Sequence, residues 1–480
     1  MTCPAAAVAP EPNAYLDVDR LLVGDIMTSR TAMDVLEVLC DDCGSRFAGT
    51  PGERRAVEYV ADYWRAVGLE NARLEEYAYT GWTRGPAALE ILAPAARSLD
   101  CISLPYCPAG QVEAELLDLG CGTPEAFARS QALIPGRIVM VSSASPPGYG
   151  RWIHRKEKYE RAVLAGAAAF LFVGEIAGAG PETGSLESDA VAPIPGFSVA
   201  LEDGTLLARL ARRHGPLRLR LVASDRHAPR TSWNAVAELA ASPGSDQASQ
   251  LVLVGCHYDG HDISQGAVDP ASGVAIMLEM ARVLAAHARP RLRRTVRFVA
   301  FGTEEIGLTG SRRYVAAHGD EADRWRFMLN LDGAGGAGRK GFVLHACPEL
   351  EPYFCRVAAQ LAGEVPVGQK VHSASDHFPF LLAGVPTGSL GDPERPPAGR
   401  GYGHTAWDTV DKVRLADLQE GAAVCARLVL RLAADAQLPW QRRTPAQVQH
   451  IVDTAAGLEG YRLSLELARR RRERDGQTRG

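Results

Sequence analysis

The second half of the chain contains histidines and acidic residues whose types suit metal binding and acid–base chemistry. They are His257, Asp259, Asp269, Glu304, Glu305, Asp332 and His404. Imidazole and carboxylate groups are typical ligands of zinc and similar divalent ions. Carboxylates gathered in one place repel each other unless a cation neutralises them, because burying unpaired charges is costly. These residue types therefore predict a site for divalent cations.

The number of candidate ligands exceeds what a single tetrahedral ion requires. Two ions that share one bridging carboxylate would use the surplus, at the separation of ~3.5–4 Å found in two-metal hydrolases. Each motif by itself is a weak signal, since a lone His at a strand end is usually structural and a Glu-Glu pair is usually solvated. Their joint occurrence favours a two-metal centre.

Most of these residues follow short apolar runs that have the length of buried strands. The runs at 251–256, 295–302, 326–331 and 342–346 are combined with a helical pattern at 272–286. Continuous apolar strands alternating with helices predict a mostly parallel mixed α/β sheet covered by helices on both faces. Ligands of such sheets bind beyond the carboxyl ends of the strands, so we expect the polar residues to converge there.

Changes in composition along the chain predict five segments. Residues 1–30 are expected to form a loosely ordered N-terminal arm, and residues 31–85 the first part of a catalytic domain. Residues 86–229 contain short β-like runs separated by Gly and Pro, with one helix near 157–165, and predict a β-rich insert. The catalytic domain resumes over 230–438 and is followed by a helical tail at 439–480.

Composition excludes several classes of protein. The 46% of hydrophobic and 23% of charged residues are typical of globular proteins. With 52 basic against 57 acidic residues the net charge is −5, so a dedicated nucleic-acid binder is not expected. No apolar run approaches the roughly 20 residues of a membrane span, and the N-terminus lacks a signal-peptide pattern. We therefore expect a cytoplasmic protein, or a secreted one if the start is misassigned.

The order of the motifs resembles that of a known enzyme family. His-x-Asp, Asp-x-Ala-Ser-Gly, Glu-Glu-x-Gly, Asn-Leu-Asp and His-Thr-x-x-Asp-Thr occur as in the co-catalytic dizinc exopeptidases, which include bacterial leucyl aminopeptidases and glutamate carboxypeptidases. The resemblance covers residues 32–84 and 231–435 and implies the zinc exopeptidase fold. Residues 85–230 resemble the protease-associated domain that many members insert, through GRIVMV, KYERAVLAGAAAFLFV and IPGFSVALEDGTLLARL.

The resemblance implies a role for each motif residue. Asp269 would bridge two divalent ions, most simply Zn²⁺; His257 and Asp332 would complete one site, and Glu305 and His404 the other. Glu304 would be the general base, and Asp259 would orient the imidazole of His257. Peptides would be the substrates, and a homo-oligomer is an open alternative to a monomer.

Pro270 departs from the family pattern. Members usually place Asp or Asn after the bridging Asp and join the two by a cis peptide bond. A non-proline cis bond costs about 3–4 kcal/mol, whereas a cis bond before proline costs only about 0.5–1 kcal/mol. We therefore predict a cis bond between Asp269 and Pro270.

Residues near the motifs are candidates for substrate contact. Tyr402, Asp376 and His377 are candidates for substrate binding, with a structural role as the alternative for each. His261 and Asp262 are interpreted as solvated loop residues that could alternatively face substrate. The insert is expected to wall one side of the cleft, so that deleting it would alter selectivity more than metal binding.

Three functions agree with these patterns to different degrees. An aminopeptidase is favoured, and it needs a carboxylate near the metals for the α-ammonium group of its substrate. A carboxypeptidase or dipeptidase is the alternative, and it needs a cationic group, which the insert could supply. A binding protein with a dead site predicts missing ligands, and none is missing.

The proposed division of roles between Glu304 and Glu305 can be tested by substitution. Replacing Glu304→Ala should abolish turnover while leaving the metal content intact, because the general base does not hold the ions. Metal analysis and a peptidase assay on the same preparation measure both quantities. Loss of metal from this variant would show that the two roles are reversed.

Overall fold

The computed structural model describes residues 13–361, 363–394 and 401–477. Two eight-stranded sheets organise this part of the chain. The first sheet is formed by strands from both sides of the predicted insert, and the second is formed within the insert. The mixed α/β architecture expected from the sequence is confirmed.

The N-terminal segment contributes three helices and one strand to the first unit. These elements are α1 (Leu16–Thr28), α2 (Thr31–Glu37), α3 (Pro51–Ala66) and β1 (Glu70–Thr83). The expectation of a loosely ordered arm is wrong for residues 16–28, because Leu22 and Ile26 are fully buried on one face of α1. Residues 1–12 lie outside the described part of the chain.

The insert forms a sheet with helices packed against it. Its elements are β2 (Ala87–Ala93), β3 (Arg97–Leu99), β4 (Ile102–Ser103), β5 (Gly110–Asp118), α4 (Pro124–Arg129), β6 (Ile138–Ser142), α5 (Arg155–Leu164), β7 (Ala169–Val173), β8 (Gly196–Val199), α6 (Leu201–His214) and β9 (Arg218–Ala223). The β-rich character agrees with the prediction, but the described insert has three α-helices where the sequence indicated one.

The remaining residues complete the first sheet and its helical layers. Their elements are β10 (Arg226–Leu239), β11 (Leu251–His257), α7 (Ser272–His287), β12 (Thr295–Phe301), α8 (Thr309–Ala317), β13 (Trp325–Asn330), β14 (Gly341–Leu344), α9 (Glu351–Gln360), β15 (Val367–Gln369), α10 (His377–Leu382), β16 (Thr387–Gly391), α11 (Leu415–Ala434), α12 (Pro445–Thr454) and α13 (Glu459–Gln477).

The first sheet is parallel at its centre, and antiparallel pairs flank this centre on both sides, while the edge strand β15 runs parallel to β14. The strand order is β1-β10-β12-β11-β13-β16-β14-β15, and the four neighbours β12, β11, β13 and β16 run parallel. β1 and β10 pair antiparallel at one edge, and β14 is antiparallel to β16. The carboxyl ends of the four central strands therefore meet at one rim.

Both faces of β11 are buried, which explains its uninterrupted apolar sequence. Val252 and Val254 belong to the core that contains α1, α2, α3, α7 and α11. Leu251 and Leu253 point the other way, into a cluster with Tyr314 of α8 and residues of α10. A strand with one solvated face would instead alternate polar and apolar residues.

Within the described residues, none of the helices combines the length and apolarity needed to cross a bilayer.

Glu53 occupies the first turn of α3 and is completely buried. Its main-chain N–H donates to the side chain of Thr50, which caps the helix, and its carboxyl group accepts hydrogen bonds from the Gly49 N–H and the Ser232 hydroxyl. Burial raises the pKa of Glu53 to about 8. The folded protein therefore holds a proton at pH 7 that the unfolded chain releases.

This raised pKa predicts a specific dependence of stability on pH. The contribution of Glu53 to the free energy of unfolding is complete below its unfolded pKa of 4.5. This contribution is lost as the pH rises toward about 8. Between pH 5 and 7.5 the free energy of unfolding of the wild type should fall by up to about 1.4 kcal/mol per pH unit because of Glu53. The Glu53→Gln variant should not show this decrease. Urea denaturation of both proteins across this range measures the difference, and parallel curves would contradict the prediction.

Candidate metal centre

The carboxyl ends of the parallel strands deliver the candidate ligands to one rim of the sheet. His257 is the last residue of β11, Glu304 and Glu305 follow β12, and Asp332 follows β13. Asp269 lies in the turn before α7. Because these strands are neighbours, residues far apart in sequence become adjacent in space.

One set of donors surrounds the imidazole of His257. Its Nε2 lies 3.2 Å from Asp269 Oδ1 and 3.4 Å from Asp332 Oδ1. Its Nδ1 donates to the main-chain oxygen of Asp259 at 3.0 Å, so Nε2 carries the lone pair. This buried Nε2 has no hydrogen-bond partner among the described residues. A lone pair aimed at two carboxylates fits a cation placed between them.

A second set of donors surrounds the imidazole of His404. Its Nε2 lies 3.4 Å from Asp269 Oδ2 and 3.2 Å from Glu305 Oε2. Its Nδ1 donates to the main-chain oxygen of Thr183 at 3.1 Å. Asp269 thus presents one carboxylate oxygen to each imidazole, which is the arrangement of a bridging ligand.

Burial and charge shift the pKa values of the groups in this site. Burial alone would raise the pKa of Asp269, but the imidazoles of His257 and His404 hold it well below its usual value. Burial, reinforced by the carboxylates of Asp332 and Glu305, raises the pKa of Glu304 well above its usual value. Glu304 is therefore the carboxyl group of this site best suited to take up and hold a proton.

Asp259 holds the loop that carries Glu304 and Glu305. Its carboxylate accepts the main-chain N–H of Glu304 at 3.0 Å and that of Glu305 at 3.2 Å. The expected contact with His257 is made chiefly by the Asp259 main-chain oxygen, since the carboxylate is 3.6 Å from the imidazole Nδ1. Asp259 therefore positions two parts of the site at once.

Asp408 holds the loop that carries Asp269 in the same way, a role that the sequence pattern did not predict. Its buried carboxylate accepts the main-chain N–H groups of Val268 at 2.8 Å and of Asp269 at 3.1 Å. The signal was present in the sequence, because Asp408 belongs to the His-Thr-x-x-Asp-Thr motif.

The predicted cis bond between Asp269 and Pro270 is confirmed.

The interpretation of His261 as a solvated loop residue is wrong. Its side chain is 1% exposed and its Nε2 lies 2.8 Å from Glu305 Oε2. Burial lowers the pKa of His261 to about 4, so the imidazole is neutral at neutral pH. Asp262 instead forms an ion pair with Arg84. The available signal was a second histidine four residues after His257, in the loop that leads to Asp269.

The three candidate substrate-binding residues differ in their exposure to solvent. Asp376 and His377 are fully buried. The ring of Tyr402 is exposed and lies 5.0 Å from the ammonium group of Lys412. Their assignment to substrate contact stays a prediction.

A further group of histidines converges beside β14 and β16. Nitrogen atoms of His345, His372 and His377 lie within 4.8 Å of one another. The rings of His345 and His377 are stacked at 3.6 Å, and both nitrogens of His345 face the hydroxyl groups of Thr387 and Ser389. Stacked imidazoles cannot both aim an in-plane lone pair at one ion, so this arrangement does not suit a metal.

A cleft of about 510 Å³ opens onto Glu304, Glu305 and His404. The insert contributes part of its wall through residues 154–157, 160, 185, 187 and 188, and α13 contributes residues 460, 461, 464 and 465; further wall residues come from α8, α10 and the loops before them. α13 is docked on the insert, because Glu459 pairs with Arg151 and Arg161. The insert therefore walls one side of the cleft, as expected, and the C-terminal helix α13 contributes further wall residues.

The insert also supports the metal centre itself. The main chain of Thr183 both accepts from His404 Nδ1 and donates to the His404 main-chain oxygen at 2.8 Å. The guanidinium group of Arg155 donates to the Thr183 oxygen from the buried side. We therefore revise the expectation for deletion of the insert, which should weaken metal binding as well as alter selectivity.

The sequence matches two families over separate ranges. Residues 234–429 match peptidase family M28, and residues 112–207 match the PA domain. These ranges contain the candidate ligands and the insert respectively.

Individual proteins resemble the chain over most of its length. Aminopeptidase YwaD of Bacillus subtilis (strain 168) is 28% identical over 403 residues, which cover 82% of each chain. Carboxypeptidase Q of Mus musculus is 28% identical over 305 residues, 62% of this chain and 63% of that relative. The solved structure of a zinc aminopeptidase from Bacillus subtilis covers 85% of this chain and 96% of its own, with 25% identity and a TM-score of 0.65.

The positioning role of Asp408 can be tested with a neighbouring control. In Asp408→Asn, an amide NH₂ group replaces one of the two carboxylate oxygens. It then faces a main-chain N–H group, so that one of the two hydrogen bonds is lost. We expect metal affinity to fall about 10–100-fold, measured by competition with a chelator. Asp411→Asn changes an exposed carboxylate in the same segment and should keep wild-type affinity. Equal affinities for both variants would contradict the role.

Proposed function

As a member of peptidase family M28 with an inserted PA domain, the chain is a metallo-exopeptidase, and we propose that it is a dizinc aminopeptidase. It would release residues from the N-termini of peptides. The observation that carries this proposal is the position of Asp269 between two imidazoles, with one oxygen facing each.

The donor groups fit two divalent ions. His257, Asp269 and Asp332 would hold the first ion, and Asp269, Glu305 and His404 the second. Ligands about 2.0–2.1 Å from one tetrahedral ion lie about 3.3 Å apart, and the donor separations of 3.2–3.4 Å are of this size. When bound, such ions lower the pKa of water and polarise the scissile carbonyl group.

Glu304 would move the proton during hydrolysis. Its carboxylate lines the cleft and is 4.0 Å from His257 Nε2. It takes a proton from the attacking water as the oxygen bonds to the carbonyl carbon, and passes that proton to the amine nitrogen as the C–N bond breaks. Asp259 keeps Glu304 in place through the main-chain hydrogen bond described above.

The charges of the cleft favour a substrate with a free amine. Five acidic side chains line it, those of Glu157, Glu160, Glu187, Glu304 and Glu305. Glu157 is paired with Arg151 and Arg161, and Glu305 would hold an ion, which leaves the other three to face a substrate amine. A protonated α-amine is stabilised by nearby carboxylates. The enclosing walls of the insert and α13 also favour chain ends over internal segments.

One observation favours a carboxypeptidase or dipeptidase as the second candidate. Arg312 lines the same cleft, and its guanidinium group makes no hydrogen bond or ion pair with the described residues. A free guanidinium group is well suited to bind a terminal carboxylate. The similarity to carboxypeptidase Q agrees with this alternative.

Substrates with blocked ends separate the two candidates. We expect the zinc-loaded protein to hydrolyse Leu-p-nitroanilide and to leave N-blocked peptides intact, because the free amine is required. Release of p-nitroaniline and of free amino acids measures the two activities. Hydrolysis confined to N-blocked peptides with a free C-terminus would contradict the aminopeptidase and support the alternative, in which Arg312→Ala should raise KM.

A further inference from the structure

We propose that His261 is an additional protein ligand of the ion that Glu305 and His404 hold, so that the centre contains three imidazoles rather than two. The inference rests on the two-metal centre proposed above. It adds a side chain that the motif comparison did not assign to metal binding.

The position of His261 is that of a ligand. Donor atoms of His261, Glu305 and His404 all lie within 4.8 Å of one another, and all three side chains are buried. The rings of His261 and His404 meet edge to face, with centroids 4.3 Å apart and planes inclined by 72°. In contrast to the stacked rings of His345 and His377, inclined rings can both direct a nitrogen toward one point.

The contact between His261 and Glu305 does not have the direction of a hydrogen bond. Nε2 is 2.8 Å from Glu305 Oε2, yet neither ring nitrogen of His261 has a hydrogen-bond partner in the described part of the chain. A hydrogen-bonded imidazole would point its N–H at the carboxylate oxygen. Two ligands that converge on one ion instead approach each other sideways.

The distances around Glu305 agree with a shared ion. Its Oε2 lies 2.8 Å from His261 Nε2 and 3.2 Å from His404 Nε2. These separations resemble the edges of a zinc coordination sphere, about 3.3 Å for four ligands and shorter for five. A buried imidazole whose nitrogens make no hydrogen bond costs free energy, and coordination would remove that cost.

The consequence is an asymmetric centre. The second ion would have four protein ligands, namely His261, Asp269, Glu305 and His404, whereas the first would have His257, Asp269 and Asp332. Catalytic metal sites keep an open position for water or substrate. The ion beside His257 would therefore have more room for a substrate group, and the ion beside His261 would be bound more tightly.

Cobalt replacement tests direct coordination at position 261. In His261→Cys loaded with Co²⁺, a thiolate ligand should produce a cobalt–thiolate charge-transfer band in the near ultraviolet, since thiolates bind such ions directly. The wild type is the matched control. It already contains Cys256 next to His257, and this cysteine should produce no band, so a band in the variant would come from position 261. Absence of the band in the loaded variant would overturn the proposal.

Metal affinity distinguishes a ligand from a supporting residue. Loss of an outer partner typically weakens binding 10–100-fold, so His261→Ala should weaken one of the two ions by more than about 100-fold and leave the other near its wild-type affinity. Ser264→Ala alters another residue of the same loop, whose hydroxyl group makes no hydrogen bond with the described residues, and should change neither affinity. A smaller effect in His261→Ala would overturn the proposal.

A measurement on the unmodified enzyme avoids any dependence on folding of the variants. X-ray absorption of the dizinc wild type should report three imidazoles for two ions, and two imidazoles would overturn the role of His261. That result, obtained with an active dizinc enzyme, would leave the proposed function intact. A wild type that takes up no zinc would overturn both.

Discussion

Electrostatic repulsion between closely spaced carboxylates is the constraint on which the rest of the structure depends. Asp269, Glu305 and Asp332 each lie within 3.4 Å of an imidazole nitrogen. The side chain of Glu305 is buried, and those of Asp269 and Asp332 are only 13% and 22% exposed, so their charges are incompletely screened by water. Their Nδ1 hydrogen bonds hold the Nε2 atoms of both imidazoles toward these carboxylates. A cation placed between them would relieve the repulsion between the carboxylates, and this agrees with the amount of surrounding chain that serves to hold the group.

The same device holds two loops of the centre. Asp259 and Asp408 each use one carboxylate to accept two consecutive main-chain N–H groups, those of residues 304 and 305 and of residues 268 and 269. A carboxylate with two such bonds fixes the local direction of the chain more firmly than one bond could. The side chains of Glu304 and Asp269 therefore leave the backbone at defined angles.

The insert belongs to the catalytic centre as well as to the cleft. The Thr183 main chain determines which nitrogen of His404 carries the lone pair, and Arg155 supports Thr183 from behind. α13 closes the assembly from the other end of the chain, through its ion pairs with the insert. The insert therefore contacts both the cleft and the candidate ligand His404, so a change in the insert can alter the position of that imidazole.

The sequence by itself determined the sheet, its parallel centre and the set of motif residues, because buried strands and strand-end motifs are local patterns. It also determined the cis bond before Pro270, which depends on one residue type. It could not show the burial of His261, the main-chain hydrogen bonds of Asp408 or the helix α1. Burial and partner identity depend on which distant segments pack together, such as the insert against His404, and spacing along the chain carries no information about those contacts.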